Sequence, residues 1–114
     1  MELIESITVG ELTMMAEKMY GDMLKAVVDV EKGLLVVDME LHADGEQFLL
    51  AQGSKQSNLW GLNLYPSDFG ENMFIEFDSL INIRPSDKNF SRSVENEELQ
   101  HKIRQLVENK VSDD

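Results

Sequence analysis

The stretch KAVVDVEKGLLVVDMEL, residues 25–41, holds two apolar-rich runs broken once, at Lys32 and Gly33. Val, Leu and Met gathered on either side of a Gly-containing break predict a β-hairpin with strands over 25–31 and 34–41. Loop length sets its register. A two-residue loop at Lys32-Gly33 places Val30 opposite Leu35, Val28 opposite Val37 and Ala26 opposite Met39, which collects all six on one apolar face. The other face then carries Lys25, Asp29, Asp38, Glu40 and His42, with Val27 and Val36 among them. A three-residue loop would shift the pairing by one and bring Asp38 among the core residues, so the alternation favours the shorter loop.

On the N-terminal side, Thr8-Val9-Gly10-Glu11 has the form of a capping box, and Val9, Leu12, Met15, Ala16 and Met19 recur at helical spacing until Gly21. The methionines 14, 15, 19 and 23 are read as core packing rather than as an adaptable groove. On the C-terminal side, Asp44 is placed to cap a short helix over 46–52 that Gly53 closes. Residues 59–65 alternate, with Trp60, Leu62 and Leu64 on one face and Asn63 and Tyr65 on the other. A fourth, long strand is expected over 74–84, with Ile75, Phe77, Ile81 and Ile83 inward and Glu76, Asp78, Asn82 and Arg84 outward, until Pro85 ends it. Asn96 caps a last helix carrying Leu99, Ile103, Leu106 and Val107, and residues 111–114 are expected to fray.

The element order is then α-β-β-α-β-β-α: an α+β fold in which a four-stranded antiparallel sheet has its helices packed on one face. One domain over 1–114, with an ordered core of about 3–110, accommodates it.

Composition narrows the function classes. The chain has 114 residues, 42% of them apolar, and a formal charge of −12 from 22 acidic and 10 basic side chains. Such a field repels phosphate backbones, which disfavours nucleic acid as a partner. No apolar run is long enough to span a bilayer, and the acidic start MELIE is unlike a secretory signal. With no cysteine, disulfides, thiolate metal sites and cysteine nucleophiles are excluded. A cytoplasmic protein is the expectation.

Three stretches, KAVVDVEKG (25–33), DMELHADGEQFLLAQGSKQSNLWGLNLYP (38–66) and FIEFDSLINIRPS (74–86), together with Arg92, resemble a family of small prokaryotic proteins catalogued only as a domain of unknown function. The likeness runs from about Met15 to about Leu106. It implies a free-standing cytoplasmic protein and assigns no residue a role.

The polar sheet face is the first place for chemistry. Asp38, Glu40 and His42 alternate along one strand, so their side chains would project together about 7 Å apart. They are candidate ligands for a divalent metal such as Mg²⁺, Mn²⁺ or Fe²⁺, although nothing in the sequence requires a cofactor. Glu40, His42 and Asp78 are candidate catalytic groups, with Arg84 beside them, for a metal-dependent or acid–base hydrolase-like enzyme. A calcium loop starting at Glu40 fails, because its twelfth position is Ala51. Gly53-Ser54-Lys55 lacks the glycine spacing of a phosphate loop. His101 falls on the exposed side of the last helix, and no nucleophile elbow is present.

Residues 84–93 carry three basic side chains, Arg84, Lys88 and Arg92, against Asp87 alone, and form a candidate anion site. The competing reading has the arginines pair with Asp78 or Glu76 and pin the loop to the sheet, while Glu95, Glu97 and Glu98 repel an anion. The leading functional expectation is a non-catalytic binding or interaction module using the polar face or a strand edge, with a homodimer or another protein as partner, since a long exposed edge invites pairing.

Overall fold

The computed structural model describes residues 1–113 and shows an α+β fold with helices on both faces of one antiparallel sheet. In chain order the elements are β1 (Glu2–Leu3), β2 (Ile7–Thr8), α1 (Val9–Met19), β3 (Leu24–Asp29), β4 (Leu34–Met39), α2 (His42–Ala51), β5 (Leu59–Leu64), β6 (Ile75–Glu76), α3 (Glu97–Glu108) and β7 (Val111–Ser112). The main sheet has five strands in the order β1-β4-β3-β5-β6, and β2 pairs with β7 in a small parallel sheet. This replaces the expected four strands, and it gives Val111 a partner in Ile7 where fraying was expected. Asp114 lies outside the described residues.

The hairpin at 25–41 forms, with a different turn. Val28 faces Leu35, Ala26 faces Val37 and Asp29 faces Leu34, so the loop is the four residues 30–33. The buried carboxylate of Asp29 builds that loop by accepting from the N–H groups of Glu31 and Lys32, each at 2.9 Å, and from the Ser54 hydroxyl at 2.6 Å. An Asp that nucleates its own turn overrides the count that alternation alone suggests. The slip is an even number of residues, so side chains keep their faces: Ala26, Val28, Leu35 and Val37 still share one core.

The alternation breaks at Asp38. The register shifts between Lys25 and Ala26, so that Lys25 faces Met39 while Ala26 faces Val37, and Asp38 is the extra residue, with φ 68°. This bulge turns Met39 to the opposite side, where it packs with Val27, Val36, Leu49 and Leu59. The face read from sequence as polar is therefore a second core, roofed by α2. Gly45 of α2 makes the close approach possible, because a Cβ there would sit 2.6 Å from Met39 Sδ and 2.9 Å from Val27 Cγ2.

The first core is larger. Leu12 and Ala16 of α1, Ile103 and Val107 of α3, and Trp60, Leu62, Leu64, Phe74 and Ile75 of the sheet side close on Ala26, Val28, Leu35 and Val37. The capping box forms as expected: Thr8 Oγ1 accepts from Glu11 N–H, and Glu11 Oε1 accepts from Thr8 N–H, both at 3.1 Å. The methionine stripe divides, with Met15 against the core and Met14 and Met19 exposed. Among the described residues no helix is long and apolar enough to cross a membrane.

The long fourth strand does not form. Of this stretch only Ile75–Glu76 joins the main sheet, pairing with Leu64 and Asn63, and the chain then folds into 3₁₀ turns over Leu80–Asn82 and Pro85–Asp87. Asn82 is fully buried and Ile83 is 41% exposed, the reverse of the expected alternation. The Asn82 amide takes the place of a strand: its Oδ1 accepts from Gly61 N–H at 2.8 Å, and its Nδ2 donates to the carbonyls of Gly61 and Arg92. Asn89 does the same for the loop, donating to the Asn82 and Ser93 carbonyls and accepting from Glu95 N–H.

Candidate functional site

α2 begins at His42, earlier than the Glu46 expected, because Asp44 reaches back from the first turn to accept from Leu41 N–H at 3.3 Å. His42 therefore leaves the strand that carries Asp38 and Glu40. Asp38 is half-buried in the bulge, Glu40 is exposed with its carbonyl accepting the Tyr20 hydroxyl, and His42 is 7% exposed beneath the start of the helix. The three do not converge. Among the described residues no group of three or more His, Cys, Asp or Glu side chains is placed to hold a metal ion.

His42 instead joins a different set. With Lys25, Ser79 and Arg92 it lines a cleft of about 230 Å³ whose other walls include Leu41, Leu80 and Ile81. Three parts of the chain meet there. Lys25 stands near the start of β3, His42 opens α2, and Ser79 and Arg92 are tied together by the bond from Ser79 N–H to the Arg92 carbonyl. Gly61 on β5 is the pivot: a Cβ at that position would lie 2.6 Å from Ser79 Oγ and 3.1 Å from His42 Cδ2. Only a bare backbone admits both side chains over the strand.

The chemistry of each group follows from its partners. His42 Nε2 lies 2.7 Å from the Leu62 carbonyl, which can only accept, so Nε2 carries the proton. The pKa is lowered from 6.5 to about 4, first by burial, and also by the charges of Lys25 and Arg92, against the raising effect of the Leu62 bond and of Asp78. The imidazole is neutral near pH 7, and Nδ1 is an acceptor with no hydrogen-bond partner among the described residues. Ser79 is 1% exposed, and its Oγ accepts from Ile81 N–H at 3.3 Å, which leaves the hydroxyl proton to be donated. Among the described residues Arg92 uses only Nε, toward Asp78 Oδ1, and its two terminal nitrogens have no partner. Lys25 Nζ sits 5.2 Å from the Tyr20 ring centre, and Lys25 pairs across the sheet with Asn63, whose buried Oδ1 has no partner among the described residues. The rim is apolar and open, with Leu41 58% and Leu80 67% exposed.

The candidate anion loop is not assembled. Arg84 is buried over the Trp60 ring, 4.1 Å from its centre, and donates to the Leu59 carbonyl at 2.7 Å and to Asp87 at 3.0 Å. Burial lowers its pKa, with Asp87 opposing. Lys88 is exposed in a left-handed turn. Two of the loop's backbone donors are already used, since Glu95 accepts from Phe90 N–H at 2.8 Å and Ser91 N–H at 2.7 Å. Hydrogen bonds from Ser91 and Phe90 hold the Glu95 carboxyl below its ordinary value. The pinning role thus fits Arg92, which pairs with Asp78 as expected, whereas Arg84 pairs with Asp87 and the strand backbone instead.

Lys25 and Ser79 were not singled out from sequence. Ser79 follows Asp78 within a run that alternates like a strand, and Lys25 looks like any solvated strand lysine. The available signal was the set of Ser79, Asn82 and Asn89, polar residues poorly suited to strands, in a segment otherwise rich in Ile. A wider cleft of about 580 Å³ opens beside β6, lined by Asp22, Tyr65, Asp68, Met73, Glu76 and others, but Ile75 is the one buried residue in its lining.

No curated protein and no solved structure matches the chain. A family model matches residues 2–110, and the chain belongs to that family, described as protein of unknown function (DUF5674).

Proposed function

We propose that the chain is a non-catalytic binding domain that takes a small ligand in the cleft between the start of α2 and the turn at Leu80–Asn82. One observation carries the reading. Two buried polar side chains, His42 and Ser79, present unused hydrogen-bonding capacity to a concave surface that also holds two cations and an exposed apolar rim. Polar groups converging in an otherwise apolar recess are the usual composition of a ligand site. Two-residue edge strands, β1 and β6, lend less support to pairing between copies along a sheet edge. A cytoplasmic setting belongs to the same reading, with no cysteine available for disulfides.

Acid–base catalysis has weaker support. At a pKa of about 4 the imidazole is a poor base near neutrality, and its Nε2 proton serves the Leu62 carbonyl. Glu40 and Arg84 are not among the residues lining the cleft.

The test is a panel of small carboxylates, phosphates, amines and neutral polyols, scored by melting temperature and by backbone amide shifts. At least one compound is expected to raise the melting temperature and move the amides of residues 41–43 and 79–81. Lys25→Met should weaken that response where the compound is an anion. A panel in which no compound moves these amides rules the cleft out as a ligand site.

A further inference from the structure

We infer that the ligand is a small monocarboxylate bearing a neutral O–H or N–H donor next to its charged group and a short aliphatic tail. The inference rests on the cleft reading above and adds the ligand's chemistry.

The charge count comes first. Lys25 and Arg92 supply two positive charges, and Asp78, bound to Arg92 Nε, supplies one negative charge. The remaining excess of one matches a monoanion better than a doubly charged phosphate, above all in a chain of −12. The two terminal nitrogens of Arg92 make no hydrogen bond among the described residues, and a guanidinium with free N–H groups suits a planar carboxylate. The Ser79 hydroxyl adds a neutral donor from a side chain that is 1% exposed.

The donor requirement comes from His42. The Leu62 carbonyl fixes the tautomer, because a group that only accepts demands the proton on Nε2. Nδ1 is then an acceptor, lodged in a residue that is 93% removed from solvent and lining the cleft. A plain carboxylate would set a lone pair against a lone pair there. A ligand carrying an O–H or N–H beside its carboxylate satisfies both sides at once.

Size and polarity set the remainder. A volume of about 230 Å³ holds roughly eight water-sized groups. Leu41, Leu80 and Ile81 line its mouth, so the part of the ligand farthest from the charge is apolar.

Three matched probes test this: 2-hydroxy-4-methylpentanoate, 4-methylpentanoate without the hydroxyl, and 2-hydroxy-4-methylpentanamide without the charge. Titration is followed by calorimetry and by the ¹⁵N shift of His42 Nδ1. The hydroxy acid is expected to bind, and loss of either feature should weaken binding about tenfold, the effect of one hydrogen bond to a charged or buried partner. The Nδ1 signal should move with the hydroxy acid and stay fixed with 4-methylpentanoate. Lys25→Met should bring the acid down to the amide's affinity. Equal binding of the amide overturns the carboxylate assignment, and equal binding of 4-methylpentanoate, or a silent Nδ1, overturns the donor assignment. If none of the three binds while other compounds of the wider panel move the cleft amides, the inference falls and the cleft reading stands. If nothing in either set moves them, both fall.

Discussion

The two faces of the sheet are built from the same strands and do different work. Under α1 and α3 lies a broad apolar core closed by Phe74, Leu62, Leu64 and Ile103. Under α2 the apolar cluster is small, five buried residues around Leu49, and it gives way toward the start of the helix to His42, Ser79, Asn82 and Lys25. The first face is an ordinary hydrophobic core, tolerant of alternatives of similar volume. The second is part core and part hydrogen-bond network, in which each polar atom depends on its neighbour. Stability should therefore reside mainly on one side and specificity on the other.

The strongest test truncates each face once. Phe74→Ala removes a fully buried ring stacked edge-on against Phe69, with centres 5.2 Å apart, and should cost about 4 kcal/mol in denaturant unfolding. Leu49→Ala, on the opposite side, should cost about 2–3 kcal/mol, because α2 rests on a narrower apolar strip. Equal losses would show that the faces share the load.

Acid separates the faces next. His42 is neutral in the fold, with a pKa of about 4, whereas in the unfolded chain it protonates near 6.5. Between those values the unfolded state binds more protons, so stability is complete above about pH 6.5 and is lost as the pH falls toward 4, by up to about 3 kcal/mol. The His42→Gln variant keeps a donor for the Leu62 carbonyl and has nothing to titrate. Unfolding curves of the two proteins should converge in slope above pH 7 and diverge below it. Parallel curves throughout would show that the imidazole is not held neutral.

Asn82→Ala comes third. It strips both amide bonds from Gly61 and one from the Arg92 carbonyl, leaving buried backbone groups unmatched, and should cost about 2–3 kcal/mol. It should also disorder the floor of the cleft, seen as faster amide exchange at Gly61 and Ser79. A change below about 0.5 kcal/mol would mean that water replaces the amide freely.

The same contrast explains what could be read from the sequence. The large face was legible, because Ala26, Val28, Leu35, Val37, Trp60, Leu62 and Leu64 keep period two, and an even slip in register leaves period two intact. The capping box at Thr8 and Glu11 was legible because it is local. The second face was not. One extra residue at Asp38 reverses the direction of every side chain after it, and nothing local marks that position as a bulge. The Ile81-Asn82-Ile83 run imitates a strand, yet Asn82 turns inward because Gly61 needs its amide and Ile83 is left outside. His42 is expected on a strand beside Glu40 and is instead the first residue of a helix, because the bulge at Asp38 and the reach of Asp44 back to Leu41 N–H end the strand before it.

Arg92 sits on the boundary between the two kinds of work, and its substitution has the smallest expected effect on stability. Its backbone belongs to the fold, since the carbonyl accepts from Ser79 N–H and Asn82 Nδ2. Its side chain does not: the pair with Asp78 leaves the two side chains 53% and 42% exposed, and such pairs contribute about 0–1 kcal/mol. Arg92→Gln should therefore unfold within about 1 kcal/mol of the wild type. The same variant should lose most of the response to any carboxylate that binds the cleft, and the wild-type response should weaken as salt rises. A loss of several kcal/mol would move the guanidinium into the structural network and remove one of the two cations on which the cleft depends. Retained stability with lost binding would place the line between scaffold and site within a single residue, at the Arg92 Cα.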